Sequence, residues 1–295
     1  MQLVYHTVDV FTRTRFGGNP LAVVLGADGL TREQMQAVAR EFNYSETSFV
    51  LRPIDRRYTA CLRIFTPTME VPFAGHPSLG TAFVLAKASE ASKFEEFTFE
   101  EQAGLVHVRI IRKDGRVDEI NLAAPQSLTI GGTFDPEEVA PCLSLSPSDI
   151  CLSFHQPCIA SVGLPFLVVE VATRAALARA TAREAHFARI LPSGGADAIY
   201  LYCRELSEQD GNVDFSARMF APFDGLPEDP ATGSATAAAC ALIAALDSRP
   251  PYHFRIAQGI DMGRPSLLTV EIEETGTVLI GGSCVSVMTG TLDLQ

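Results

Sequence analysis

Positive charge is scarce in this chain: 23 Lys and Arg stand against 35 Asp and Glu, a formal charge of −12 over 295 residues. Phosphate backbones are gripped by clustered Lys and Arg, so the balance argues against nucleic acid as a partner. No apolar run reaches the roughly 18 residues that a membrane span needs. The start, Met1-Gln2-Leu3-Val4-Tyr5-His6, lacks the basic-then-apolar order of a signal peptide. No Cys-x-x-Cys pair occurs, and the cysteines (Cys61, Cys142, Cys151, Cys158, Cys203, Cys240 and Cys284) are odd in number and irregular in spacing. They read as buried, reduced thiols in a cytoplasmic protein, with no zinc site. No Gly-Lys-Ser/Thr follows the later glycine turn, and Gly233-Ser234-Ala235-Thr236-Ala237 lacks the last glycine of a nucleophile elbow. Low-complexity segments and long linkers are missing as well.

What is present is globular. Hydrophobic residues make up 47% of the chain. Its length allows one large domain or two of about 150 residues. Strand patterns dominate: Leu3 to Phe11, Leu21 to Leu25, Glu46–Leu51, Tyr58–Phe65, Phe94–Phe99, Leu105–Ile111 and Val117–Leu122. Lys113-Asp114-Gly115-Arg116 is a hairpin turn with Asp-Gly at its centre. Thr31-Arg32-Glu33-Gln34 is a capping box, followed by Met35, Val38, Ala39 and Phe42 at helical spacing. Pro125, Gly131-Gly132 and Pro136 mark a change of texture near residue 123, and Asp135-Pro136 starts a short helix. Beyond it the grammar repeats, with a helix predicted over about Arg174–Ile190 and strands from Cys158 to the C-terminus. This is an α+β pattern rather than an alternating doubly wound sheet. The expected domains are 1–123 with a returning strand at about 284–295, and 124–283. Glu95, Glu96, Glu100 and Glu101 read as a solvated strand face.

Two turns stand out. Gly75-His76-Pro77-Ser78 and Asp229-Pro230-Ala231-Thr232-Gly233-Ser234 each open a run of small and apolar residues that reads as a helix. Gly75 and Gly233 lie 158 positions apart, about half the chain. Two similar halves are implied, each bringing a helix N-terminus to a shared cleft. Free N–H groups and the helix dipole there suit a carboxylate.

The candidate side chains each admit two readings. Glu46 enters a strand beside Phe42, Tyr44, Phe49 and Val50. It is either a surface carboxylate or one whose apolar setting raises its pKa for acid–base work. His76, between Gly75 and Pro77, either projects from the helix start or caps and packs it. Asp229 is a cap or turn residue, or a site carboxylate. Ser234 caps its helix or donates to a ligand. Arg264, in Met262-Gly263-Arg264-Pro265-Ser266, is structural, at an interface, or a grip on a carboxylate.

Taken in order, these segments resemble the PhzF family, named for phenazine biosynthesis. The matches are Val8-Asp9-Val10-Phe11 leading to Gly18-Asn19-Pro20-Leu21-Ala22-Val23, Ser45-Glu46-Thr47, Arg63-Ile64-Phe65-Thr66-Pro67, Ala74-Gly75-His76-Pro77, Glu228 through Ala235, and Gln258-Gly259 with Met262 through Ser266. They span nearly the whole chain. The resemblance implies a diaminopimelate epimerase-like fold: two similar domains, each a curved, barrel-like sheet around a central helix, with the site between them. It implies a homodimer that needs no metal or organic cofactor. It also implies an isomerase moving a proton in a small unsaturated cyclic carboxylic acid, similar to trans-2,3-dihydro-3-hydroxyanthranilate isomerase. By that resemblance Glu46 is the general acid/base. His76 and Asp229 hydrogen-bond the substrate and relay protons. Gly75, Gly233 and Ser234 line the pocket and hold a carboxylate, and Ser45 orients Glu46 or the ligand. Related epimerases use two cysteines at the paired helix starts. Here those positions hold His76 and Ser234, and Cys240 lies nearly two turns later, which disfavours a two-thiol racemase. A non-catalytic binding or regulatory protein on the same scaffold, or an epimerase using Glu46, are the alternatives.

Overall fold

Alternating apolar residues give the first half its strands, and a helix apolar on every side gives those strands something to curve around. The computed structural model describes residues 1–88, 94–191, 195–224, 226–247 and 252–294. The chain divides into two compact units, Met1–Ala123 with Gly281–Gln295, and Ala124–Ile280.

In the first unit the strands are β1 (Gln2–Val10), β2 (Asn19–Leu25), β3 (Glu46–Leu51), β4 (Ala60–Phe65), β5 (Glu70–Val71), β6 (Glu96–Glu101), β7 (Gly104–Lys113) and β8 (Arg116–Ala123). Helix α1 (Arg32–Phe42) follows β2, and α2 (Gly75–Ala88) follows β5. The C-terminal strand, Cys284–Asp293, pairs antiparallel with β1 along its whole length. From β1 onward the pairing runs antiparallel to β2, parallel to β3 and antiparallel to β4. Strand β4 pairs antiparallel with β5 and parallel with β6, and β6, β7 and β8 form an antiparallel meander. The β7–β8 hairpin turns at Asp114 (φ 52°) and Gly115 (φ 73°), both left-handed, as a tight Asp-Gly turn requires.

Helix α2 packs against β1, β2, β3, β7, β8 and the C-terminal strand. Leu79, Thr81, Ala82, Phe83, Val84 and Ala86 are all buried, so this helix has no polar face to offer water. Its closest approach is at Gly80, where a Cβ would sit 2.5 Å from Leu21 Cδ2 and 2.9 Å from Val10 Cγ2. Helix α1 covers the other face of the sheet. Its capping box at Thr31 and Gln34 is formed, and Met35, Val38 and Ala39 meet Val24, Phe49 and Phe65.

The second unit carries β9 (Thr129–Thr133), α3 (Pro136–Val139), β10 (Cys158–Ser161), β11 (Pro165–Glu170), α4 (Arg174–Arg179), α5 (Glu184–Ile190), β12 (Ile199–Cys203), β13 (Phe215–Ala221), β14 (Leu226–Asp229), α6 (Gly233–Leu246), β15 (Tyr252–Gln258), β16 (Ser266–Ile272) and the first residues of β17 (Val278–Gly282). Its pairings repeat those of the first unit in the same order. Strands β10 and β11 are antiparallel, β11 and β12 parallel, and β12 and β13 antiparallel. Strand β13 pairs antiparallel with β14 and parallel with β15, and β15 is antiparallel to β16. Helix α6, rich in buried alanine, packs against β10, β11, β12, β15 and β16. Strand β9 pairs with β10 as the C-terminal strand does with β1.

The repeat reaches individual side chains. Arg63 on β4 grips Glu70 on β5 through two bonds of 2.7 and 2.8 Å. Arg218 on β13 grips Glu228 on β14 through two bonds of 2.8 and 2.7 Å. Arg63-Ile64-Phe65-Thr66-Pro67 and Arg218-Met219-Phe220-Ala221-Pro222 are the same motif at the same strand position.

Two expectations need correction. The single helix over Arg174–Ile190 is two helices, broken at Ala180, whose φ of −58° and ψ of 138° are extended. Arg218 Nη1 donates to the carbonyls of Leu177, Ala178 and Ala180, at 2.9, 3.0 and 2.9 Å, so those groups bind a guanidinium instead of the next turn. The chain beyond is held to the Ala140–Leu143 turn, with Arg183 N donating to Cys142 O at 2.8 Å. The glutamate patch is also not uniformly solvated. Glu95 and Glu96 are exposed, but Glu100 accepts from Ile54 N and Asp55 N, and Glu101 is 8% exposed.

Arg218 is therefore a buried charge that joins β13, β14 and the end of α4. Arg218→Met should destabilise the protein by about 3–5 kcal/mol, because it leaves Glu228 without its cation in a half-buried place. Urea denaturation checks this, with a loss below about 1 kcal/mol counting against it.

Candidate active site

Glu46 is the first residue of β3, set beside Leu21 of β2 in the parallel register. Its side chain is 19% exposed and that of His76 7%. His76 is the second residue of α2, and its Nε2 lies 3.4 Å from Glu46 Oε2. Thr81 Oγ1 donates to Ser48 Oγ at 2.9 Å, which pins α2 to β3 one turn further on and so sets this approach. The contact would be an ion pair only with a protonated imidazole. Burial drives the His76 pKa down to about 3, so at neutral pH a neutral ring faces the carboxyl.

The same helix turn holds a second buried carboxyl. Ser78 Oγ lies 2.9 Å from Ala74 O and 2.6 Å from Glu101 Oε1. A hydroxyl has one proton for these two acceptors. The Ser78 hydroxyl is the donor in both contacts, shared between the Ala74 carbonyl and the Glu101 carboxyl, and its bond to Glu101 favours the ionised carboxylate. Burial pushes the Glu101 pKa up to about 7, against the lowering effect of the Ser78 hydrogen bond.

In the second unit Asp229 ends β14, opposite Met219 of β13. The reading of Asp229 as a helix cap is not what the structure shows: Thr232 occupies the N-cap position of α6. Thr232 Oγ1 donates instead to Asp229 Oδ2, and Asp229 belongs to a strand end. Gly233 and Ser234 are the first two residues of α6, as Gly75 and His76 are of α2. Gly233 is buried; Ser45 and Ser234 are half-buried. Cys240 is fully buried within α6, and burial holds its thiol well above the ordinary cysteine range. Arg264 closes its turn through backbone, donating its N–H to Gly259 O at 3.0 Å. Among the described residues no three His, Cys, Asp or Glu side chains are grouped as metal ligands.

Strand register shows that the halves are alike in backbone and unlike in chemistry. Phe65 lies opposite Thr47, and its counterpart Phe220 lies opposite Ile199. The residue matching Glu46 is therefore Ala198, which is 2% exposed. Asp229 faces Met219 as Val71 faces Ile64, so the residue matching Asp229 is Val71. Each unit has a carboxyl where the other has an apolar side chain. Of the candidates Glu46, His76 and Asp229 that sequence reasoning singled out, the structure brings the first two together. Sequence reasoning read Glu101 as solvated and gave Ser78 no partner, so the buried pair they form was not foreseen. The signal available was Glu101 at the inward phase of β6, in step with buried Phe97 and Phe99.

A sheet-wrapped helix in each unit defines the diaminopimelate epimerase-like fold, and relatives named as isomerases make the chain an isomerase. The chain belongs to the PhzC-PhzF family of phenazine biosynthesis-like proteins, whose model matches residues 8–290. It is 39% identical to an uncharacterised isomerase of Mesorhizobium japonicum over 98% of both chains. It is 35% identical to the trans-2,3-dihydro-3-hydroxyanthranilate isomerase of Pseudomonas aeruginosa, over 92% of this chain and 91% of that one. Among solved structures, a PhzF-family phenazine biosynthesis protein of Bacillus anthracis superposes with a TM-score of 0.88 at 25% identity, covering 100% of both chains.

The two buried groups titrate in opposite senses. The folded pKa of His76 lies near 3 against an ordinary 6.5, so the unfolded chain binds its proton first. This lowers stability as pH falls from 6.5 toward 3. The folded pKa of Glu101 lies near 7 against 4.5, so stability is full below 4.5 and is lost as pH rises toward 7. Relative to the wild type, His76→Asn should gain stability as pH falls below 6.5. Glu101→Gln should gain as pH rises from 4.5 to 7. Each difference approaches about 1.4 kcal/mol per pH unit. Urea denaturation of the three proteins from pH 4.5 to 7.5 tests both signs.

Proposed function

We propose that this isomerase moves a proton between two carbons of a small unsaturated cyclic carboxylic acid, with Glu46 as the general acid/base. The carrying observation is the Glu46 carboxyl 3.4 Å from a buried, neutral His76. A neutral ring orients the carboxyl, and the substrate's polar groups, without carrying a charge of its own. Glu46 removes a proton from one carbon, and the electron pair left behind spreads into the conjugated system. The Glu46 carboxylic acid then returns that proton to a second carbon. Atoms and electrons balance with Glu46 as the proton carrier, so the cycle needs no oxidant or reductant, and the proposal includes no metal or organic cofactor. One base acting on one face suffices for such a shift.

In this reading His76 and Asp229 hydrogen-bond substrate polar groups and pass protons at their periphery. Gly75 at the start of α2, and Gly233 and Ser234 at the start of α6, are the substrate-binding residues of this reading, since a helix start offers free donors and a positive dipole end. Ser45 orients Glu46. The substrate class follows the name of the Pseudomonas aeruginosa relative at 35% identity. A cytoplasmic homodimer completes the proposal, and the seven free cysteines fit a reducing compartment.

The test is trans-2,3-dihydro-3-hydroxyanthranilate in deuterated water, followed by NMR of the ring positions. The wild type should yield the double-bond isomer, and Glu46→Gln should lower kcat at least about 100-fold with the fold intact by circular dichroism. Undiminished turnover in Glu46→Gln would remove the assignment. Inversion of a single carbon without double-bond movement would mark an epimerase instead.

A further inference from the structure

Gln258-Gly259 is a motif that the proposed chemistry leaves unused. Gln258 ends β15 and is completely buried. Its Nε2 donates to Asp229 O at 2.9 Å and to Thr232 Oγ1 at 3.2 Å, and its Oε1 accepts from Thr232 N at 3.2 Å. The partners fix which way round the amide lies. A backbone carbonyl only accepts and a backbone N–H only donates, so Nε2 must face Asp229 O and Oε1 must face Thr232 N. Both amide protons and the carbonyl are thus spent on one turn, residues 229–232.

The following residue keeps the two segments in contact. Gly259 has φ +74°, and a Cβ there would lie 2.4 Å from Arg264 O and 2.6 Å from Pro230 O. Only glycine fits both the backbone and the space. Ser266 Oγ donates to Pro230 O at 3.2 Å from the other side of the loop. Arg174 ties the loop down through Asp261, at 3.0 Å, while holding Asp210 at 2.9 Å.

The consequence falls on one proton. Thr232 Oγ1 receives an N–H from Gln258, so that lobe of the oxygen is occupied by an acceptor role. Its own hydroxyl proton is left for Asp229 Oδ2, the bond that is observed. We propose that Gln258 is a positioning residue for Asp229, setting the direction of the Thr232 hydroxyl proton and through it the orientation of the Asp229 carboxyl. This rests on the reading that Asp229 hydrogen-bonds the substrate. Misplacing such a group by an ångström costs catalysis about 100-fold at the upper end.

The experiment uses four variants of the full chain with trans-2,3-dihydro-3-hydroxyanthranilate as probe. Thr232→Val keeps the shape and removes the hydroxyl. Gln258→Glu keeps the acceptor for Thr232 N and replaces the donor with an oxygen. Thr232→Ser keeps the hydroxyl and loses only a methyl, and Asp229→Asn tests the underlying role. Thr232→Val and Gln258→Glu should lose about 10- to 100-fold in kcat/KM, like Asp229→Asn, while Thr232→Ser stays within about threefold of wild type. A slow Asp229→Asn beside fast Thr232→Val and Gln258→Glu would overturn the positioning role alone. A fast Asp229→Asn would overturn the role of Asp229 and this inference with it. Crystal structures of the same variants need no turnover. An Asp229 carboxyl turned away from residue 232 in Thr232→Val and Gln258→Glu, and restored in Thr232→Ser, supports the inference; an unmoved carboxyl overturns it.

Discussion

A helix that is apolar on every face has no side to give to water, and in each unit the sheet curves around one. In α2 the buried residues run through Leu79, Thr81, Ala82, Phe83, Val84 and Ala86, and in α6 through most positions from Ala235 to Ala244. Burial of such a helix is favourable only when the strands close on it from several directions. The helix walls are then spent on packing. Its first turn remains the part with unsatisfied N–H groups and with polar side chains, His76 and Ser78 in α2 and Ser234 in α6. The helix starts keep these polar groups because the rest of the helix is committed to the core.

The two starts are held by equivalent devices. Arg63 with Glu70, and Arg218 with Glu228, lock the strand pair that precedes each helix, through two short bonds in each case. A planar guanidinium facing a carboxylate fixes both distance and angle, which a single point charge would not. On this shared frame the polar side chains have diverged. The first unit has Glu46 and His76, where the second has Ala198 and Ser234. The second has Asp229, where the first has Val71. Backbone duplication with divergent side chains lets one fold carry two distinct polar environments, one around a buried neutral imidazole and one around a carboxyl held by a hydroxyl.

Much of the fold was legible because its signals are local. The capping box at Thr31 formed, Glu46–Leu51 is a strand over the predicted span, and the Asp114-Gly115 hairpin turned where Asp-Gly does. The half-chain repeat was visible in the glycine turns. It was more strongly written in Arg63-x-Phe65-x-Pro67 and Arg218-x-Phe220-x-Pro222, which sequence reading passed over. Short strands were missed: β5 has two residues, β9 contains Gly131-Gly132, and β14 lies in a segment that reads as a turn. Each exists because a neighbouring strand supplies its partners, and no residue within it announces that. The break between α4 and α5 is of the same kind, since the guanidinium that caps α4 comes from a residue some forty positions away.

By itself the sequence determined the α+β class, the two glycine-led helix starts, the family, and the identities of Glu46, His76 and Asp229 as chemically able groups. Those properties depend on residue type and on spacing along the chain. Only tertiary structure decided their states. His76 is neutral because six strands' worth of packing around α2 removes water from its ring, and Glu101, one of four glutamates along one short strand region, has its pKa pushed up to about 7 because its side chain turns inward and is buried. The Asp229 carboxyl accepts from a threonine three residues on, and its backbone carbonyl from a glutamine twenty-nine residues on. Burial and hydrogen-bond direction are properties of surroundings, and in a chain folded this way the surroundings of each group are supplied mostly by residues distant in sequence.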